Sequence, residues 1–237
     1  MASGRFSWQI DGIENYGAVP NLKRFLHSLA ILGLLGACAD ISELVDTPLV
    51  SITPQLKVAE VPEVAVAESA PVRASWDHKP QSKAWTSATL MALETHGAAL
   101  VNVVPADIDR YCPAYPEADP QTRKAFWVNM LSALAKHEST WQPRVSGGGG
   151  RWHGLLQISP GTARGYGCKA TSSEALKDGS ANLACAVRIM AVTVPRDRVI
   201  SRGMRGIAAD WGPFHQMRKR ADMQELTRAQ PYCKKAT

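Results

Sequence analysis

The sequence predicts a mainly α-helical domain carried behind an export leader and an extended tether, and three observations lead there. Apolar residues recur at helical spacing in two long stretches, Trp127, Leu131 and Leu134, then Leu183, Val187, Met190 and Val194, and each stretch follows a capping aspartate, Asp119 or Asp178. An apolar run of 13 residues, Phe25 to Ala37, follows the basic Asn21-Leu22-Lys23-Arg24, too short for a comfortable membrane span and right for the core of a signal peptide. Between leader and helices lie Pro48, Pro54, Pro62, Pro71 and Pro80, with acids and isolated valines and no sustained period. The expected division is a leader over 1–37, a tether over 38–81 and a folded domain over 82–237.

The leader closes on Leu35-Gly36-Ala37-Cys38, which resembles the lipobox of bacterial lipoproteins. Small residues let a signal peptidase approach the backbone, and the Cys38 thiol is the acceptor for a diacylglycerol. A plain signal peptide, or a short buried helix with an incidental cysteine, is the alternative. Cysteine parity weighs against both: without Cys38 the five cysteines become an even set, Cys112, Cys168, Cys185 and Cys233, as two disulfides in an oxidising compartment require. Of the three pairings that four cysteines allow, the favoured one is Cys168–Cys185, clipping a local loop, with Cys112–Cys233 tying the far end of the chain to the start of the domain.

A periplasmic protein held to a membrane through lipidated Cys38 is expected, and Ala39 rather than Asp after the cysteine leans towards the outer membrane. Residues 1–20 are long and carry Asp11 and Glu14, unlike a typical leader, so a translation start near Val19 is also expected. At roughly 3.3 Å per extended residue, the tether spans at most about 130 Å. That is enough to carry a domain from a lipid anchor into a nearby polymer layer.

The net charge is +6. It is concentrated in residues 196–237, where arginines and lysines such as Arg202, Arg218, Lys219 and Arg228 outnumber the acids. Such a surface attracts an anionic polymer or is simply a solvated basic face. Aromatics are not interleaved with it, which disfavours nucleic acid. His137, His153 and His215 lack a compact ligand spacing and the cysteines are taken as disulfides, so no metal is expected. Gly147 to Gly150 lacks the strand, helix and lysine of a nucleotide loop, so no cofactor is expected either.

Taken in order, Ala84 to Val104 reads as one helix with Thr86 or Ser87 as candidate N-caps. Asp109 to Pro113 reads as an irregular segment held by its disulfide. Asp119-Pro120 then opens a helix that continues to Thr140 without a breaker. On it Trp127, Leu131, Leu134 and Glu138 share one face, so a carboxylate continues an apolar stripe. Glu138 is either a solvated last-turn residue or a covered acid. If covered, desolvation and the negative end of the helix dipole both raise its pKa, as a proton donor near neutral pH requires.

Gly147 to Gly150 and Arg151-Trp152-His153 read as a mobile loop, either a plain surface loop or a cleft rim on which Trp152 stacks against a sugar. Gly154-Leu155-Leu156-Gln157-Ile158 supplies a close-packing glycine, two buried residues and an amide. Ser159-Pro160 starts a short helix ended by Gly167, and Asp178 to Val194, capped by Asp178 or Ser180, forms the last well-signed helix.

Glu138-Ser139, followed by Gly154-Leu155-Leu156-Gln157-Ile158 and Thr162-Ala163, resembles the Glu-Ser and Gly-Leu-Met-Gln motifs of the soluble lytic transglycosylase (SLT) domain family, whose fold is related to goose-type lysozyme. Asn182-Leu183-Ala184-Cys185, opening a helix, is similar to that family's next element, and the resemblance spans roughly 105–233. It implies a lysozyme-like helical fold acting on peptidoglycan glycan strands as a monomer, with Glu138 as the lone acid and base. Glu138 would protonate the bond between N-acetylmuramic acid and N-acetylglucosamine and then deprotonate the muramyl 6-hydroxyl, closing a 1,6-anhydro ring without water. Ser139 would position the acid or substrate, and Gln157 and Tyr166 would line the cleft. The family's late Ala-Tyr-Asn motif is met here by Ala208-Ala209-Asp210-Trp211-Gly212, where Trp211 takes the tyrosine's place and no asparagine follows. Asp210 is then either a cap or surface acid, or a second carboxylate. A hydrolytic muramidase on the same fold, and a non-catalytic peptidoglycan-binding lipoprotein, are the rival readings.

Overall fold

Helix α3 (Pro120–Ser139) runs through the middle of the core, and its start is built as its sequence implies. The Asp119 carboxylate accepts from the backbone N–H of Gln121 at 2.8 Å and of Thr122 at 3.1 Å, and from the Thr122 hydroxyl at 2.6 Å. Pro120 occupies the first position, where its missing N–H costs nothing. Thr140, in the left-handed conformation with φ of 51°, ends the helix. A computed structural model describes residues 72–235. The expected leader over 1–37, the expected lipidation at Cys38 and the expected tether up to residue 71 lie outside the described residues.

The expected stripe of Trp127, Leu131 and Leu134 is fully buried, but so are Val128, Met130, Ser132 and Ala133 between them. The helix is therefore enveloped rather than amphipathic: α1 (Ser82–Glu94), α2 (Ala98–Asn102) and α6 (Met217–Arg228) all pack on it. Two small polar residues make this tolerable, because Ser132 accepts a hydrogen bond at 2.9 Å from the Trp76 N–H and Asn129 donates to the Leu226 carbonyl.

Trp76 lies within the stretch expected as tether, yet it is packed into the core. Its side chain is completely buried, stacks edge-on against Trp85 and donates to the Thr86 hydroxyl at 3.0 Å. The packing thus already includes Trp76, ahead of the expected domain start at 82; one tryptophan among lysine, histidine and proline carries no period to read. Neither Thr86 nor Ser87 caps a helix, since α1 begins earlier, after Gln81. The single helix expected over Ala84–Val104 is two, broken at Thr95–Gly97. The cause is tertiary: a Cβ on Gly97 would collide with Val187 of helix α5 (Gly179–Asp197) and with the backbone of Ala92 and Leu93, so the chain turns where α5 presses on it.

Helix α5 is capped by Asp178, which accepts from the Ala181 N–H at 2.8 Å, and its stripe of Leu183, Val187, Met190 and Val194 is fully buried. It runs to Asp197, past the expected end at Val194. Beyond it the buried Asp107 carboxylate gathers the backbone N–H groups of Ile200, Ser201 and Arg202 at 2.6, 2.9 and 3.0 Å. Both favoured disulfides are present, Cys112–Cys233 across 121 residues and Cys168–Cys185 across 17. The first joins the chain's end to the turn before α3, and the second holds the loop leading into α5. No described helix is long and apolar enough to cross a membrane.

Candidate active site

Glu138 sits half-buried in the last turn of α3. Among the described residues no ion pair takes up its carboxylate. Burial raises its pKa from the ordinary 4.5 to about 7, against the opposing pull of the Lys219 charge. The adjacent side chains are tied down instead: His137 Nε2 donates to Asp222 Oδ2 at 2.7 Å, and Lys136 Nζ reaches both Asp222 oxygens at 2.8 and 2.9 Å. Ser139, buried, donates its hydroxyl back to the Ala135 carbonyl at 3.2 Å, so the hydroxyl helps to finish the helix.

The glycine-rich stretch expected as a loop is a small antiparallel hairpin, β1 (Ser146–Gly147) paired with β2 (Trp152–His153). Gly148, Gly149 and Gly150 all take positive φ at its tip, a path that side chains rarely adopt. The hairpin leaves Trp152 43% exposed, with the Arg151 guanidinium 5.0 Å from its ring centre.

The turn that follows is fastened from beneath. Leu155 and Leu156 are fully buried, and Gly154 has φ of 82° with no room for a Cβ between the Leu176 carbonyl and the Asn182 amide. Asn182 is the fastener: its Oδ1 accepts from Leu156 N–H at 2.9 Å, and its Nδ2 donates to the carbonyls of His153 and Leu176 at 3.0 and 2.9 Å. Gln157, left-handed at φ 48°, turns its amide inward to donate to the Gly154 carbonyl at 2.8 Å. Ser159 caps α4 (Pro160–Gly165) by accepting from the Thr162 N–H.

A small groove lies over this turn, lined by Trp152, Gln157, Ser159, Thr162, Asp210 and Trp211 among others. Trp211 is nearly buried and donates its indole N–H to the Leu156 carbonyl at 2.9 Å, so it packs the groove floor onto the turn. Asp210 lies at the rim, where partial loss of solvent raises its pKa against the opposing hydrogen bond that the Tyr166 hydroxyl donates to it at 3.4 Å. The structure thus brings Trp152, Gln157, Trp211 and Asp210 together, with Tyr166 attached through Asp210. Glu138 and Ser139 are not in that groove's lining; they stand at the end of α3.

The three histidines weighed as metal ligands are separately engaged: His137 with Asp222, His153 with the Ser146 hydroxyl, and His215 with the Ala208 carbonyl. Among the described residues no cluster of three His, Cys, Asp or Glu is placed to hold a metal. Sequence reasoning missed Asn182 as a fastener, and counted Lys219 and Asp222 only towards the charge of the last stretch, not towards the site. Asn182 carried a weak signal, a polar residue on the buried side of α5 next to Leu183; the other two carried none.

Residues 117–196 match the family model of the Transglycosylase SLT domain, which bears out the motif resemblance and the lysozyme-like helical fold. The matched stretch holds α3 with Glu138, the hairpin, the Gly154–Ser159 turn, α4 and nearly all of α5. Among solved structures the chain is similar to Bd0314 DslA in its wild-type form 2, with a TM-score of 0.63, 28% identity, and coverage of 70% of this chain and 100% of that one. It is also similar to two Glu-to-Gln mutants of DslA, each 28% identical, with TM-scores of 0.64 and 0.62 and coverage of 70% and 68% of this chain and 100% and 97% of theirs. No curated protein sequence matches it significantly.

Proposed function

With a Transglycosylase SLT domain at residues 117–196 as the premise, we propose that the chain is a peptidoglycan lytic transglycosylase cleaving the β-1,4 bond between N-acetylmuramic acid and N-acetylglucosamine. The observation that carries the reading is Glu138, an unpaired carboxyl held on a rigid buried helix at a pKa of about 7. At neutral pH both of its forms are accessible, which suits one group that must first give a proton and then take one.

The steps balance on that single residue. Glu138 donates its proton to the glycosidic oxygen as the bond from C1 to that oxygen breaks. Its carboxylate then removes the proton of the muramyl 6-hydroxyl, whose oxygen bonds to C1 and closes the 1,6-anhydro ring. Glu138 ends protonated and no water is consumed. Paired-carboxylate hydrolysis needs a second acid to activate water or attack C1; the charge that acts on Glu138 is instead the Lys219 cation. Trp152 offers a stacking face, while Gln157, Tyr166 and Trp211 shape the subsites and Ser139 holds the end of the acid's helix.

Asp210, exposed at the groove with a raised pKa, favours one second reading: a hydrolytic muramidase in which it activates water. Mass spectrometry of fragments released from purified peptidoglycan in ¹⁸O-water separates the two. Anhydromuramyl ends without label are the expected result, and labelled reducing ends would replace the lyase by the hydrolase.

The sequence around Cys38 supports a periplasmic enzyme lipidated at that cysteine and probing the wall on its tether as a monomer, with Ala39 favouring the outer membrane and with no nucleic-acid partner. Cys38→Ser is expected to move the protein from the detergent phase to the aqueous phase on Triton X-114 partition of cell extracts. Unchanged partition would remove the anchor from the proposal.

A further inference from the structure

We propose that the groove between helices α1 and α5, beside the Cys168–Cys185 disulfide, binds the short carboxylate-bearing peptides that hang from peptidoglycan strands. The inference rests on reading peptidoglycan as the substrate. It adds a second contact with that polymer, apart from the groove of Trp152 and Asp210, since the two linings share no residue.

The groove measures about 510 Å³, within the roughly 300–1,000 Å³ usual for a small-ligand site. One wall is a face of α1, with Ala88, Met91 and Ala92, and the other is a face of α5, with Ala181, Ala184 and Cys185, each set at the spacing of successive helical turns. Ala170 and the Cys168–Cys185 bridge complete the apolar part of the lining. Met91 is 64% exposed, so the groove is open to solvent along that side.

The polar groups of the lining divide into two sorts. Thr95 and His96 are spent on the fold: the Thr95 hydroxyl donates to the Met91 carbonyl at 2.9 Å, and His96 Nε2 donates to the Ala184 carbonyl at 2.9 Å. Lys169 and Arg188 are the others, and among the described residues neither enters an ion pair. No acid lines the groove to meet them. The bridge brings both cations to one place, because Lys169 directly follows Cys168 and Arg188 lies one turn beyond Cys185 on α5.

An apolar groove whose spare polar groups are both cations fits an anion joined to short apolar groups. Arginine takes a carboxylate through two parallel hydrogen bonds, and lysine adds a compact charge. The peptides of peptidoglycan combine alanine methyls with free carboxylates in this way. A fatty acid shares the carboxylate, but its long chain needs an enclosure that a groove open at Met91 does not give.

The test titrates the full chain with the soluble peptide N-acetyl-L-Ala-γ-D-Glu-L-Lys-D-Ala, with the same peptide amidated at its carboxyls, and with laurate, followed by NMR at the methyl groups of Ala170, Ala181 and Ala184. Saturable shifts with a Kd on the order of 1 mM are expected for the peptide. Amidation and Arg188→Gln are each expected to weaken binding by about five- to tenfold. Ala184→Leu, which fills the groove without altering a charge, is expected to abolish it. Absence of shifts in the wild type, equal binding of the amidated peptide, saturation by laurate but not by the peptide, or unchanged binding in both variants would overturn the proposal. Cleavage of peptide-free glycan strands by the wild type is measured separately, and its failure would remove the functional reading while the peptide titration still decides the groove.

Discussion

Glu138→Gln is expected to abolish peptidoglycan clearing on a zymogram while making the folded domain more stable at alkaline pH. The amide keeps the size and shape of the side chain but gives no acidic proton, and losing a general acid and base costs on the order of a hundredfold to ten-thousandfold in rate. Equal clearing by wild type and variant would reject Glu138 as the acid. Clearing by neither protein would favour the non-catalytic peptidoglycan-binding reading.

The gain in stability follows from the direction of the pKa shift. The folded carboxyl titrates near 7 against an ordinary 4.5, so between those values the folded protein holds a proton that the unfolded chain has released. Stability therefore falls as pH rises through that window, and the cost is fully present above it. Discounted for partial exposure, it amounts to about 1–3 kcal/mol. Glutamine has no charge to bury, so urea unfolding at pH 8 should show the variant more stable by that amount, and at pH 4 the two proteins should agree. An equal difference at both pH values would mean that the carboxyl is not desolvated.

Asn182→Ala is expected to cost about 3–5 kcal/mol, because it strips three hydrogen bonds at once from fully buried backbone groups: the Leu156 N–H and the carbonyls of His153 and Leu176. Asn182→Asp should be comparably harmful, since a carboxylate retains the acceptor for Leu156 but faces two carbonyls with charge instead of a donor. The Gly154–Gln157 turn under the groove would loosen, so activity should fall before global unfolding. The midpoint in urea and the residual activity at low urea report the two effects, and a loss below about 1 kcal/mol would mean that other contacts hold the turn.

The parts of the fold that were legible are those decided within a few residues. Asp119-Pro120, Ser159-Pro160 and Asp178 each satisfy the exposed N–H groups of the turn that follows, so their chemistry is the same in any fold. The disulfides were legible because parity reduces four cysteines to few choices. Trp76, the break at Gly97 and the all-round burial of α3 were not legible, because each depends on an element distant in sequence: Ser132, Val187, and the three helices that wrap α3.

The site divides the same way. By itself the sequence determined that a glutamate ends a capped helix, that a glycine turn with Gln157 follows it, and that the spacing of the two matches a known domain. Only the tertiary structure decided what kind of glutamate it is. A solvated last-turn carboxylate and a covered acid have the same local sequence; they differ in how much water the neighbouring elements remove and which charge they bring near. Burial raises Glu138 to about 7, and Lys219, arriving on α6 from beyond the motif, limits the rise. Desolvation and Coulomb interaction act through space rather than along the chain, which is why that decision required the fold.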